Sequence, residues 1–92
     1  MSKKEYNKLT FQEKLALIRF YPKEAKKDED DVIREEAYEA LGFTEEAFKD
    51  GNYMIRREAY RALGYTEEAL NDKDYHIRQE AKIYLDFIKL NN

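Results

Sequence analysis

Apolar residues recur along this chain at helical spacing, in blocks that restart every 22 residues. In "NYMIRREAYRALG" (52–64), Ile55, Ala59, Ala62 and Leu63 fall at i, i+4, i+7 and i+8, one face of an α-helix. "DDVIREEAYEALG" (30–42) has the same pattern, and a third block begins at Asp74. Each block opens on a residue whose side-chain oxygen can accept a first-turn amide: Asp30, Asn52 or Asp74. Gly42 and Gly64 close the first two, where a left-handed residue is usually needed. A short piece follows, with Thr44 or Thr66 in an N-cap position. Phe43 and Phe48, like Tyr65 and Leu70, have hydrophobic-staple spacing around that cap. Between Thr44 and Asp50 there is room for little more than one turn, α or 3₁₀. No segment alternates as a strand would.

The unit is therefore a long helix followed by a short one. Residues 30–51 and 52–73 agree at Ile33/Ile55, Arg34/Arg56, Glu36/Glu58, Ala37/Ala59, Tyr38/Tyr60 and Gly42/Gly64, among others. A third copy, 74–92, keeps Ile77, Arg78, Glu80, Ala81 and Leu85, and "YPKEAKKDED" (21–30) is a worn copy of the short segment. Such a unit cannot bury its stripe alone, so stacked neighbours and capped ends are expected within one domain spanning 1–92. Residues 1–20 form the expected N-terminal cap, with a helix near Thr10 to Phe20 that opens on the capping-box pattern "TFQE". At the other end Asp86 stands where glycine would end the helix, so the last helix is expected to run through Phe87, Ile88 and Leu90.

"DVIREEAYEALG" and "YMIRREAYRALG" resemble the second helix of HEAT-like repeats, including the phycobilisome-lyase type, with a pattern near D-x-x-V-R-x-x-A-x-x-A-L-G. The short period departs from that family. A first helix cut to about one turn is more similar to leucine-rich-variant repeats, which alternate an α-helix with a 3₁₀ helix. The resemblance covers residues 21–85 and implies an all-α fold, a right-handed α-solenoid, used as a binding surface and carrying no chemistry of its own. It also implies a ladder of turn aspartates and helix arginines, which Asp28/Arg34, Asp50/Arg56 and Asp72/Arg78 match in spacing.

Composition narrows the function. Charged residues make up 40% of the chain and mean hydropathy is -0.96, values that raise the question of disorder. The charges nearly balance and the apolar positions are regular, so a folded, highly charged helical protein is expected. There is no cysteine, hence no disulfide and no thiolate ligand, which suits a cytoplasmic location. A net charge of -3 gives no long-range attraction for nucleic acid. One His (His76), one Ser (Ser2) and Thr10, Thr44 and Thr66 do not assemble a nucleophile with a base. The Asp-x-Asp pairs 28/30 and 72/74 lack the glycine and terminal glutamate of a calcium loop. No metal, cofactor or catalytic residue is expected.

The periodic charges read as structure. Glu36, Glu58 and Glu80 lie on one flank of the long helices and Arg34, Arg56 and Arg78 on the other, so stacked helices would bring a Glu row toward an Arg row. Tyr38 and Tyr60 fall roughly 100° from the core stripe, with Tyr53 and Tyr75 near them. With Arg57, Arg61 and Lys82 these tyrosines form a candidate protein-binding surface, Tyr and Arg being common at interface hot spots. The resulting reading is a non-catalytic protein–protein interaction module. The alternatives are a small acidic inhibitor of a nucleic-acid-handling protein or a HEAT-like nucleic-acid binder, the latter disfavoured by the recurring glutamates. Surplus apolar residues at the ends (Leu17, Phe87 and Leu90) offer a homodimer contact.

Overall fold

The computed structural model describes residues 3–92; Met1 and Ser2, which begin the expected capping region, lie outside the described residues. The described residues are helical, with no strand among them. Six α-helices are labelled in chain order: α1 (Lys3–Tyr6), α2 (Phe11–Ala16), α3 (Pro22–Lys26), α4 (Asp31–Leu41), α5 (Tyr53–Leu63) and α6 (Tyr75–Leu90). The segments Ile18–Phe20, Glu45–Lys49 and Glu67–Asn71 are 3₁₀ turns. No helix among the described residues is long and apolar enough to cross a membrane.

The chain divides into two compact units, Met1–Gly42 and Phe43–Asn92, a boundary that falls inside the 30–51 repeat. Its position follows from how the short helices pack. Each lies on the long helix after it: α3 on α4, Glu45–Lys49 on α5, and Glu67–Asn71 on α6. The physical unit is thus short-then-long, shifted in phase from the long-then-short unit that the capping residues suggest. Alanine makes the packing close. Ala25, Ala47 and Ala69 occupy one position of the short helices, Ala37, Ala59 and Ala81 one position of the long helices, and all are fully buried. In the first unit Ile18, Ala25, Ile33 and Ala37 form a core with Leu15 and Leu41 against it. In the second the core is Tyr60, Tyr65, Ala69, Ile77 and Ala81, with Phe48 packed on it.

Several caps are as expected. The Thr10 hydroxyl accepts from the Glu13 amide at 3.1 Å while the Glu13 carboxylate accepts from the Thr10 amide at 2.8 Å, a complete capping box. Asp30 accepts from Val32, Asn52 from Met54 and Ile55, and Asp74 from Ile77. Thr44 and Thr66 differ. They sit at cap positions, but their hydroxyls make no capping bond. The reason is the 3₁₀ geometry: the amides of Ala47 and Ala69 donate to the carbonyls of Thr44 and Thr66 at 3.0 Å, which removes the third-position amide from the hydroxyl's reach.

The N-terminal helix is also shorter than its periodicity suggests. α2 ends at Ala16, and Ile18–Phe20 tightens to 3₁₀ before Tyr21 at φ -131°, ψ 55°. Pro22 disfavours the α conformation at Tyr21 and then starts α3 at a position where its missing N–H costs nothing. α6 does run on to Leu90, past Asp86.

The buried face of the long helices is displaced from the Ile–Ala–Ala–Leu stripe. On α5 the buried residues are Ile55, Ala59 and Tyr60, whereas Ala62 and Leu63 are exposed near the helix end. Gly42 and Gly64 end α4 and α5 at φ 97° and 103° with extended ψ, a region that side chains strongly disfavour. Gly42→Ala and Gly64→Ala are each expected to cost about 1–3 kcal/mol in urea unfolding. Gly64→Ala should cost somewhat more, because its Cβ would stand 2.8 Å from the Tyr84 hydroxyl while nothing lies within 4 Å at Gly42.

Candidate interaction surface

The sharpest geometry in the molecule sits in the turns ahead of α4, α5 and α6. Asp28, Asp50 and Asp72 each accept, through Oδ1, the amide two residues on, at 2.8 Å in all three cases. Arg34, Arg56 and Arg78 reach back six residues and donate from Nη1 to the main-chain carbonyls of the same aspartates, at 2.8, 2.9 and 2.7 Å. Glu29, Gly51 and Lys73 present a second carbonyl to the same nitrogen at 3.0, 3.3 and 2.9 Å. The expected Asp/Arg pairs therefore exist, but within each pair the arginine holds the aspartate's backbone.

The carboxylate goes elsewhere. Arg56 Nε and Nη2 form a fork with Asp72, each at 2.9 Å, so an arginine ties one turn to the next sixteen residues along. Both side chains are nearly buried. Burial alone would raise Asp72, but Arg56 and the Asp74 amide outweigh it and hold the carboxyl below its ordinary range. Asp28 has no preceding arginine of the repeat, and the N-terminal segment substitutes for one. The Tyr6 hydroxyl donates to its Oδ2 at 2.6 Å and Lys14 Nζ lies 3.0 Å from the same oxygen. Here too burial pulls upward and is outweighed, and Asp28 sits low while burial and Asp28 push the Tyr6 phenol up. Tyr6 and Lys14 lie outside the 22-residue register, so no repeat pattern marks them.

At Glu80, the last member of the Glu row, the arginines are not the ones expected. Glu80 is bound by Arg57 and by Arg61, whose Nη2 lies 3.0 Å away, and it accepts the Tyr65 hydroxyl. Arg56 is not among its partners because it lies between Ala59 and Tyr60 on the buried side of α5, within reach of Asp72. Arg57, burial opposing it, and then Arg61 and Tyr65 hold Glu80 down at about 2, and burial followed by Glu80 pushes Tyr65 up to about 12. Tyr65, which the sequence marks only by its staple spacing, is part of this cluster; its aromatic character at the position of Tyr21 and Phe43 is the signal that points to it.

The Tyr/Arg surface consequently divides. Tyr38 and Tyr60 are 2% and 3% exposed and belong to the interior, a correction to their placement on the binding surface. The cause is the displaced helix face, which puts their rings inward. Tyr60 stacks on Phe48 at 4.2 Å and on Tyr65 at 5.4 Å. Arg57 and Arg61 are engaged with Glu80. What stays outward is Tyr53 and Tyr75, 46% and 59% exposed at the first positions of α5 and α6, with Lys82 exposed further along α6. Tyr53 borders an open groove shared with Lys49, Lys73 and Asp74. Arg78 lies over the Tyr75 ring at 5.8 Å, and exposed His76 contacts the same ring edge-on.

Among the described residues no group of three or more His, Asp or Glu side chains is placed to hold a metal ion. No protein-family model matches the chain, and neither a curated protein nor a solved structure matches it.

Two tests follow from the charged turns. Arg56→Ala should destabilise the protein by about 2–4 kcal/mol, since it strands the nearly buried Asp72 and frees two turn carbonyls; Arg56→Lys should recover only part, having no fork. Glu80 is lowered from 4.5 to about 2, so its contribution is complete above pH 4.5 and is lost as pH falls toward 2. Urea midpoints across that window should therefore fall less steeply for Glu80→Gln than for the native chain.

Proposed function

We propose that this chain is a non-catalytic protein-binding module built as a short α-solenoid, of the HEAT-like or leucine-rich-variant kind that its repeats resemble. Support for the solenoid comes from the repetition of contacts as well as letters. The aspartate turn with its arginine recurs before α4, α5 and α6, and isoleucine and alanine are buried at matching positions of all three helices. The Arg56–Asp72 fork joins one repeat to the next. Support for a binding role comes from what the charged groups are doing. Asp28, Asp72 and Glu80 are occupied by fixed cations and hydroxyls, an arrangement that stabilises a scaffold and offers no free acid–base pair to a substrate.

The observation that carries the proposal is the pair Tyr53 and Tyr75. Each begins a long helix, each is about half exposed, both belong to one unit, and Tyr53 borders a groove edged with lysine and aspartate. Aromatic rings with polar rims are common at the centres of protein interfaces. The partner this surface fits is another protein, and no cofactor takes part.

The test compares proteins retained by the native chain and by Tyr53→Ser/Tyr75→Ser, with quantitative mass spectrometry and matched circular dichroism. One or more partners should be held by the native chain and lost at least tenfold from the variant. Identical profiles would remove these tyrosines, and with them the proposed surface. Salt-sensitive micromolar binding of duplex DNA by the purified chain would replace this reading with a nucleic-acid one.

A further inference from the structure

α6 carries two apolar faces, and the packing of its own unit uses only one. Ile77 and Ala81 face inward. Roughly 130° around the helix, Ile83, Phe87 and Leu90 follow at i, i+4 and i+7 and fall within about 60° of one another. They are 70%, 63% and 85% exposed. The repeat explains how this face arises. Ile83 stands where the earlier units carry Glu39 and Arg61, so a charged outer position has become apolar. Phe87 stands where they carry Phe43 and Tyr65. Tyr65 follows the turn at Gly64 and is buried; Asp86 replaces that glycine, the helix continues, and Phe87 is carried outward. A groove lined by Arg61, Tyr65, Glu80, Ile83, Tyr84 and Phe87 runs along the stripe.

We propose that this face is covered by the same face of a second copy, with the two α6 helices packed antiparallel about a two-fold axis that passes beside Phe87. Three features of α6 fit that arrangement and no shifted one. An axis at Phe87 sets Phe87 against its twin. It sets Ile83 against Leu90 of the other copy, their midpoint lying within about half a residue of Phe87, less than 1 Å of helix rise. It sets Asp86 against Lys89 of the other copy with a midpoint equally close. Asp86 and Lys89 border the same edge of the stripe, and in an antiparallel two-fold pair each edge meets itself reversed, so the acid–base contact forms twice. Lys82, on that same edge, falls opposite the uncharged Asn92 of the other copy. Tyr84 comes opposite Leu90, which enters the groove beside it.

The area agrees with a weak, specific dimer. Ile83, Tyr84, Phe87 and Leu90 together expose on the order of 500 Å², large for a single small chain. Two such faces cover on the order of 1,000 Å², the lower bound of a specific interface. This contact uses a surface separate from Tyr53 and Tyr75, so it stands or falls independently of the protein-binding reading.

Sedimentation equilibrium of the full chain over a concentration series should show a monomer–dimer equilibrium with a dissociation constant on the order of 10 µM. Phe87→Glu, at an exposed position, should weaken it at least tenfold with helicity unchanged, and Leu90→Glu should act in the same direction. Asp86→Lys and Lys89→Asp should each weaken association several-fold, and the double exchange should restore it, because the pairs re-form with reversed sign. A chain that stays monomeric into the hundreds of micromolar leaves the face to a different protein and overturns the proposal. So does a dimer indifferent to Phe87→Glu, a failure of the double exchange to restore pairing, or association that continues past two copies.

Discussion

Three times in this chain an arginine donates to the main chain of the turn that precedes its own helix. A 3₁₀ or short α segment that stops after one turn leaves carbonyls without amide partners, and the next helix begins with amides in the same condition. Asp28, Asp50 and Asp72 answer the second need through their carboxylates, and Arg34, Arg56 and Arg78 answer the first. With both sets of groups satisfied, the chain can reverse between helices in a handful of residues and still bury alanine on each side. Without them, helices as short as Glu45–Lys49 would have little to hold them, since isolated segments of that length are unstable in water.

Arg56 also makes one repeat depend on the next. Arg56 uses one edge of its guanidinium for the turn behind it and the other for Asp72 ahead, something a lysine's single nitrogen cannot do. Asp28 receives Tyr6 and Lys14 at the equivalent oxygen. The N-terminal segment thus imitates, with different residues, what an earlier repeat would have supplied. At the opposite end the ties are of another kind. Glu80 gathers Arg57, Arg61 and Tyr65 across α5 and α6, closing the edge of the last pair.

Much of this was legible in the residues. Capping aspartates and asparagine, the helix-ending glycines, the one-turn segments and the extension of α6 past Asp86 are local features, decided by a few neighbouring side chains. Where the reading missed, non-local packing decided. Tyr38 and Tyr60 lie on the flank of a stripe drawn from isoleucine and alanine; the stripe alone cannot reveal that Arg56 is drawn inward by Asp72 and that the buried arc widens to include tyrosine. Thr44 and Thr66 have the identity of caps, yet the backbone's own 3₁₀ bonds take the amide first. Tyr6 and Lys14 carry no mark in the sequence, because their role is defined by a repeat that is missing. The candidate surface was legible only in part: Tyr53 and Tyr75 remained outside, while the arginines beside them had partners already.

The bonds that hold the turns span two and six residues, and the Arg56–Asp72 fork spans sixteen. Bringing together groups that close along the chain restricts few conformations, and the cost rises only slowly with the length of the loop. The second unit is therefore assembled from contacts that can form before distant parts of the chain have met. Chains with that property cross a low entropic barrier and fold in microseconds to milliseconds, ahead of the encounters that lead to aggregation. A highly charged surface over a thin core of alanine, isoleucine and tyrosine is workable under that condition, for the time its core residues spend in water is short.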